Sequence, residues 1–228
     1  MPNNITNRLQ IKATTKERVQ EVLVFLRGKP LKDGTPRHID FNKIIPMPEA
    51  LKIEDSSVGS IGMQYLLASN RVGKTEEDMK AIRNFEEFDC ITKERAILLG
   101  RQYLSNIEQY GYATWYSWSN ARWGTKWNAY DTELQESDTI WFHTAWAGVP
   151  CLIATLSEKF PDVEFEYAFA DEDLGSNIGE GTIQDGDISM SFPVAGSNEA
   201  YEMLFRLLPE MEEYFVLTDE GYVMTAAG

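Results

Sequence analysis

Two stretches of the chain make the same change of hydrophobic period, and this limits the fold more than any other feature. Ile5–Ala13 sets Ile5, Leu9 and Ile11 against Thr6, Arg8, Gln10 and Lys12, the two-residue alternation of a half-buried strand, broken only by the polar Asn7. Thr14 and Glu17 then form a capping box, Val19, Val22, Leu23 and Leu26 recur at helical spacing, and Gly28 stops the helix. Polar turn residues lead into His38–Ile45, read as a second strand closed by Pro46-Met47-Pro48. Later in the chain the pattern returns. Asp138–Ala145 reads as a strand, Pro150 opens a helix continued by Cys151–Phe160, and Val163–Ala170 alternates Val163, Phe165, Tyr167 and Phe169 with Glu164, Glu166 and Ala168. Strand–helix–strand twice over, with hairpins rather than long crossovers elsewhere, predicts an α+β fold: a ferredoxin-like antiparallel sheet covered by helices.

Between these halves the period is helical. Met63–Ser69, Thr75–Phe88 and Thr92–Tyr110 read as helices, with Gly111 ending the last. Residues 60–111 are therefore expected as a helical insertion within a single α+β domain spanning 1–228. Tyr112–Trp118 reads as an aromatic strand and Lys126–Asp131 as a short one. Asp185-Gly186 predicts a hairpin within Ile178–Ser191, Ser197–Leu208 a helix, and Asp219–Gly221 a final hairpin within Tyr214–Thr225.

Net charge separates the ends of the chain. Residues 1–159 hold 20 acidic and 20 basic residues, whereas 160–228 hold 16 acidic residues and a single basic one, Arg206. Such a surface repels phosphate, which argues against DNA or RNA binding through it, and attracts a partner with a basic surface. Glu164, Glu166, Asp171, Glu172 and Asp173 are the expected partner-binding residues. No apolar run long enough to cross a membrane and no signal-type leader is seen, and Cys90 with Cys151 gives no disulfide framework, so a cytoplasmic protein without membrane attachment is expected.

All six tryptophans fall between Trp115 and Trp146. Trp115, Trp118, Trp123 and Trp127 alternate with Arg122, Lys126, Asn128 and Asp131. This is the mixture of flat apolar surface, cation and polar edge that a small-ligand pocket uses, and equally that of a core whose indole N–H groups are satisfied by polar neighbours. On a strand, Trp115 and Trp118 point to opposite faces, which counts against a shared stacking wall.

The segments Met1-Pro2-Asn3 with Thr6-Asn7-Arg8-Leu9, Phe41-Asn42-Lys43-Ile44-Ile45-Pro46-Met47-Pro48, Trp115-Tyr116-Ser117-Trp118, Trp123-Gly124-Thr125-Lys126-Trp127-Asn128-Ala129-Tyr130-Asp131 and Phe142-His143-Thr144-Ala145-Trp146 carry a family resemblance. So do Leu156-Ser157, Phe160-Pro161 and Ala170-Asp171-Glu172. In these patches, over residues 1 to about 190, the chain resembles the YubB-type ferredoxin-like family of phages and conjugative plasmids. The family's Trp and Cys near positions 4 and 5 are here Asn4 and Ile5. The resemblance implies a fold and a mobile-element origin, hence a bacterial host cytoplasm, and supplies no catalytic residues.

Other constellations are weaker. Cys151 directly after Pro150 would feel a helix N-terminus that lowers a thiol pKa, and His143 with Asp171 or Asp131 would complete a thiol-enzyme arrangement; the alternative is a buried structural cysteine. Asp171-Glu172-Asp173 with Glu180, Asp185 and Asp187 offers hard oxygen ligands, but without the glycine and glutamate spacing of a calcium loop, so no metal is expected. Gly73-Lys74-Thr75 lacks the upstream glycine of a phosphate loop, Ala68 standing there. No cofactor is expected. The sequence thus points to a non-catalytic accessory protein that binds a host protein, and in the resembled setting inhibits a host defence factor, through its acidic C-terminal face. A nucleotide-type ligand at the tryptophan block is the second reading, and a thiol enzyme at Cys151 the third.

Overall fold

The structure, a computed structural model, describes residues 3–225. The chain runs β1 (Asn4–Lys12), α1 (Lys16–Leu26), α2 (Phe41–Ile44), α3 (Ser57–Asn70), α4 (Glu76–Glu86), α5 (Cys90–Tyr110) and α6 (Trp115–Arg122). It continues with β2 (Tyr130–Gln135), β3 (Thr139–Ala145), α7 (Pro150–Ser157), β4 (Glu164–Asp171), β5 (Gly179–Gln184), β6 (Asp187–Ser191), α8 (Asn198–Leu207), β7 (Phe215–Thr218) and β8 (Gly221–Met224). It divides into two compact units, Met1–Pro46 with Arg122–Gly228, and Met47–Ala121.

The first unit is the α+β sheet. Its six strands are all antiparallel in the order β2-β3-β1-β4-β5-β6. The first four reproduce the ferredoxin-like arrangement, and the β5–β6 hairpin extends it beyond β4. Ile5, Leu9 and Ile11 of β1, Ile140 and Phe142 of β3, and Phe165, Tyr167 and Phe169 of β4 are buried on the inner face, together with Val22, Leu23 and Leu26 of α1, Phe41 of α2 and Leu152, Ile153 and Leu156 of α7. Phe41 meets Phe142 edge to face at 6.0 Å. On the outer face Ala168, Ala170 and Ile178 pack with Ala200, Met203, Leu204, Phe205 and Leu207 of the amphipathic α8, joined by Trp141, Phe215 and Tyr222.

Asn7 explains its own break in the strand pattern. Fully buried, it donates to the carbonyls of Ile5 and Phe142 (2.9 and 3.2 Å) and to Thr144 Oγ1 (2.9 Å). Its Oδ1 accepts the Tyr167 hydroxyl at 2.6 Å, and that hydroxyl accepts the Val149 N–H at 2.7 Å. One polar network therefore ties β1, β3, β4 and the start of α7 together.

The second unit is helical. Gly62 of α3 and Gly100 of α5 let two backbones touch: a Cβ at Gly62 would lie 1.8 Å from the Ala96 carbonyl oxygen, and one at Gly100 would lie 2.5 Å from Gly62. Tyr103 is buried, donates to the Glu54 carbonyl at 2.5 Å and accepts from Ser56 N at 3.2 Å. Asn106 bonds the carbonyls of Ala50 and Ala113.

Four local expectations are corrected. His38–Ile45 is not a strand: Asp40 accepts the Asn42 N–H and caps the short α2, a local bond that competes with extended backbone. Tyr112–Trp118 is not a strand either, because the chain enters α6 at Trp115, with Trp118 N bonding the Thr114 carbonyl; β-favouring aromatic residues here yield to helical backbone pairing. The cap of α1 is Thr15, not Thr14, its hydroxyl accepting from Arg18 N. Strand β2 begins at Tyr130, so Lys126–Asn128 is loop.

Candidate functional site

The Trp123–Asn128 block is a clamp that leaves two residues facing out. Trp123 is buried, donates its indole N–H to the Ile45 carbonyl (2.9 Å) and meets Phe41 edge on. Gly124 takes a left-handed turn (φ 79°). Buried Thr125 donates to the Ala145 carbonyl at 2.7 Å and accepts the Ala145 N–H at 3.1 Å, fixing the loop to the end of β3. Asn128 accepts from the N–H groups of Phe41 and Ala129 and donates to Asp40 at 2.6 Å. Burial pushes the Asp40 carboxyl up, but the bonds from Asn128 and Asn42 and the charge of Arg37 outweigh it and hold this carboxyl below the usual range.

Between these anchors, Lys126 and Trp127 project to the surface. The Lys126 ammonium lies 4.6 Å from the Trp127 ring centroid and 4.9 Å from that of Trp146. Both indoles are open to solvent, at 39% and 42%. Trp146 holds φ 72°, a conformation that bulky side chains rarely adopt. Its N–H bonds the Asn3 carbonyl (3.0 Å), and its carbonyl accepts from Asn177 Nδ2 (2.9 Å). Thr144 Oγ1 bonds the Ala147 carbonyl at 2.7 Å, bracing the same turn. Backbone strain of this kind persists where the surroundings over-determine it, and it concentrates at functional positions.

The ledge continues over the sheet. Tyr130 meets Trp127 edge on (6.4 Å) and lies 5.8 Å from the His143 ring. His143 Nδ1 stands 3.4 Å from Asp131 Oδ2, and Asp131 holds φ 47° where β2 bulges away from β3. The Tyr130 hydroxyl donates to Asn4 Oδ1 (2.6 Å), and Asn4 donates to Glu172 (3.0 Å). Burial, then the charges of Asp131 and Glu172, push this phenol up. The result is an aromatic surface of rings set at steep angles to one another, with one cation against its two indoles, rimmed by Asp131 and Glu172.

Of the eight residues expected to bind a ligand, the structure places Lys126, Trp127 and Asp131 together on this ledge. Trp123 and Asn128 are spent on bracing, and Trp118 is buried on α6. Trp115, also on α6, is half-buried and meets Tyr116 edge on, and Arg122 is exposed at that helix's end. Sequence reasoning missed Trp146, Tyr130 and the His143–Asp131 pair as parts of one surface. Their signal was their place in two of the segments quoted for the resemblance, Trp123–Asp131 and Phe142–Trp146.

The acidic residues fall in different surroundings. Glu164 and Glu166 lie on the outer sheet face, Glu166 facing Lys12 at 3.5 Å. Asp171 is buried and accepts from Asn3 (3.1 Å), Asn177 (2.8 Å) and the Asp173 N–H (3.0 Å), which makes it a turn organiser. Glu172 and Asp173 are exposed beyond the strand end, about 20 Å along the chain from Glu166. Cys151 is exposed rather than buried, on the first turn of α7. Among the described residues no group of three or more His, Cys, Asp or Glu is placed to hold a metal ion, and no helix is long and apolar enough to cross a membrane.

No curated protein matches the chain. Among solved structures, protein api92 from Yersinia pseudotuberculosis is similar over 86% of this chain and 99% of its own, at 10% identity and a TM-score of 0.37. The sheet-forming segment that carries the ledge is the part with a family match: residues 122–206 match the family described as the ferredoxin-like domain in Api92-like protein.

Proposed function

We propose that this is a non-catalytic binding protein that engages a protein partner through the ledge of Lys126, Trp127, Tyr130, His143 and Trp146. The observation that carries this reading is the pair of exposed indoles held around one lysine, with Trp146 kept in a left-handed backbone by Asn3 and Asn177. Rigid tryptophan and tyrosine side chains are the usual energetic anchors of protein interfaces. The rim carboxylates Asp131 and Glu172 suit a partner with a basic border and oppose a phosphate backbone. A sandwiched base is disfavoured, because the Lys126 ammonium occupies the space between the indoles. In the setting that the family resemblance implies, the partner is a host protein in the bacterial cytoplasm, a defence factor being the leading candidate.

The test is a pull-down from bacterial lysate with the wild type and the Trp127→Ala variant, read by mass spectrometry. The expected result is a stoichiometric protein captured by the wild type, weakened by salt and lost with Trp127→Ala. Equal capture by both would overturn the reading. Saturable quenching of tryptophan fluorescence by a nucleotide would replace it with the small-ligand alternative.

A further inference from the structure

A second feature lies on the outer face of the sheet, beginning one row along from the ledge residue His143, which pairs with Thr6. Strand pairing places Trp141 and Ala168 on either side of Arg8, then Glu180 beside Ala168 and Ser191 beside Glu180. The next row sets Glu166 beside Thr182 and Ser189. The small side chains of Ala168, Thr182, Ser189 and Ser191 leave an open trough of about 640 Å³, with Arg8 at its β1 side. That is the size of a small-molecule site.

The charges in this trough do not cancel. Glu166 faces Lys12 at 3.5 Å, and Glu180 accepts from Arg206 at 2.5 and 2.9 Å. Each acidic lining residue thus has its own cation, while no ion pair to Arg8 occurs among the described residues. Arg8 Nε is, among them, the one buried side-chain nitrogen or oxygen without a hydrogen-bond partner. Guanidinium keeps its charge, so an Nε–H stripped of water and given no acceptor leaves the compensation to whatever meets the rest of the group.

We propose that this trough binds a small monocarboxylate of the amino-acid or short-peptide type, with the Arg8 guanidinium holding the carboxylate. Planar guanidinium matches planar carboxylate in a two-bond fork. A phosphate dianion would bring a second negative charge that the single Arg8 does not match, and its tetrahedral oxygens fit the planar fork less well than a carboxylate. Glu166, Glu180 and the hydroxyls of Thr182, Ser189 and Ser191 are suited to the ligand's amine or amide groups.

The experiment is a titration of the full-length, ¹⁵N-labelled protein with sodium acetate, glycylglycine, inorganic phosphate and sodium chloride at matched ionic strength, following the arginine Nε–H signals. A saturable shift of the Arg8 signal with acetate, stronger with glycylglycine and absent with chloride, is expected. Arg8→Met should weaken glycylglycine binding about tenfold or more, followed on the sheet amides. Arg8→Lys keeps the charge and most of the stem but removes the fork. It should lose most of the affinity too, and it keeps the proposal open to refutation should the methionine variant fail to fold. No saturable shift with carboxylates, an equal shift with chloride, tighter binding of phosphate than acetate, or undiminished affinity in Arg8→Lys would overturn the proposal.

Discussion

Replacing Tyr167 by Phe removes one oxygen atom from the centre of the sheet and should cost far more than its volume suggests. The hydroxyl donates to Asn7 Oδ1 at 2.6 Å and accepts from Val149 N at 2.7 Å. Both partners are buried, Asn7 at 0% and Val149 at 1% exposure, so water cannot easily replace the lost group. The variant leaves one acceptor and one donor unsatisfied, each costing about 1–3 kcal/mol, for a total of about 4 kcal/mol at mid-range. In a protein of this size that corresponds to a fall of roughly 8–16 °C in Tm. The assay is urea denaturation followed by far-ultraviolet circular dichroism, with an unchanged m-value to show that the unfolded state is not the cause. Combined with Asn7→Val, the cycle should return a coupling of about 1–3 kcal/mol. A loss below about 1 kcal/mol, or strict additivity, would refute the claim that this network locks β1, β4 and the start of α7.

Other outcomes follow from single contacts. Asp40 is held below the ordinary carboxylate pKa in the folded protein, so its contribution to stability is present above about pH 4–5 and is lost as pH falls through its folded value; the melting difference between wild type and Asp40→Asn should shrink on acidification across that window. Gly62→Ala forces a methyl into the Ala96 carbonyl and should destabilise the helical unit by about 3 kcal/mol or more, read as faster amide exchange in α3 and α5. Trp146→Gly relieves a left-handed strain of about 1–2 kcal/mol, so Tm should stay level or rise while partner binding falls; a large drop in Tm would show that the indole serves packing instead.

The sheet was legible because its strands obey a two-residue period on both sides of the core: Val163–Ala170 and Asp138–Ala145 were recognised to within a residue of β4 and β3. The ends of α3, α4 and α5 were less exact, but their helical character was plain from apolar spacing. What failed was local polar chemistry. Asp40 capping α2 and the pairing of Trp118 N with Thr114 depend on single hydrogen bonds that no hydrophobic period records. The ledge was half legible. Lys126, Trp127 and Asp131 sit in one run, but Trp146 and His143 reach them through the pairing of β2 with β3 and the bonds of Thr125 to Ala145, contacts that exist only after folding. Asp171 looked like surface charge, and it is buried because two asparagine side chains and a backbone N–H satisfy its carboxylate.

The most direct test of the central claim compares the isolated partner's Kd for the wild type, for Trp127→Ala, and for the double variant Glu164→Lys/Glu166→Lys. An interface anchored on the ledge predicts a loss of roughly 30-fold or more for Trp127→Ala, the scale of an interface hot spot, and only a small change for the charge-reversed strand. The reverse order, with Trp127→Ala binding like the wild type and the lysine variant failing to bind, would place recognition on the acidic strand and contradict the account.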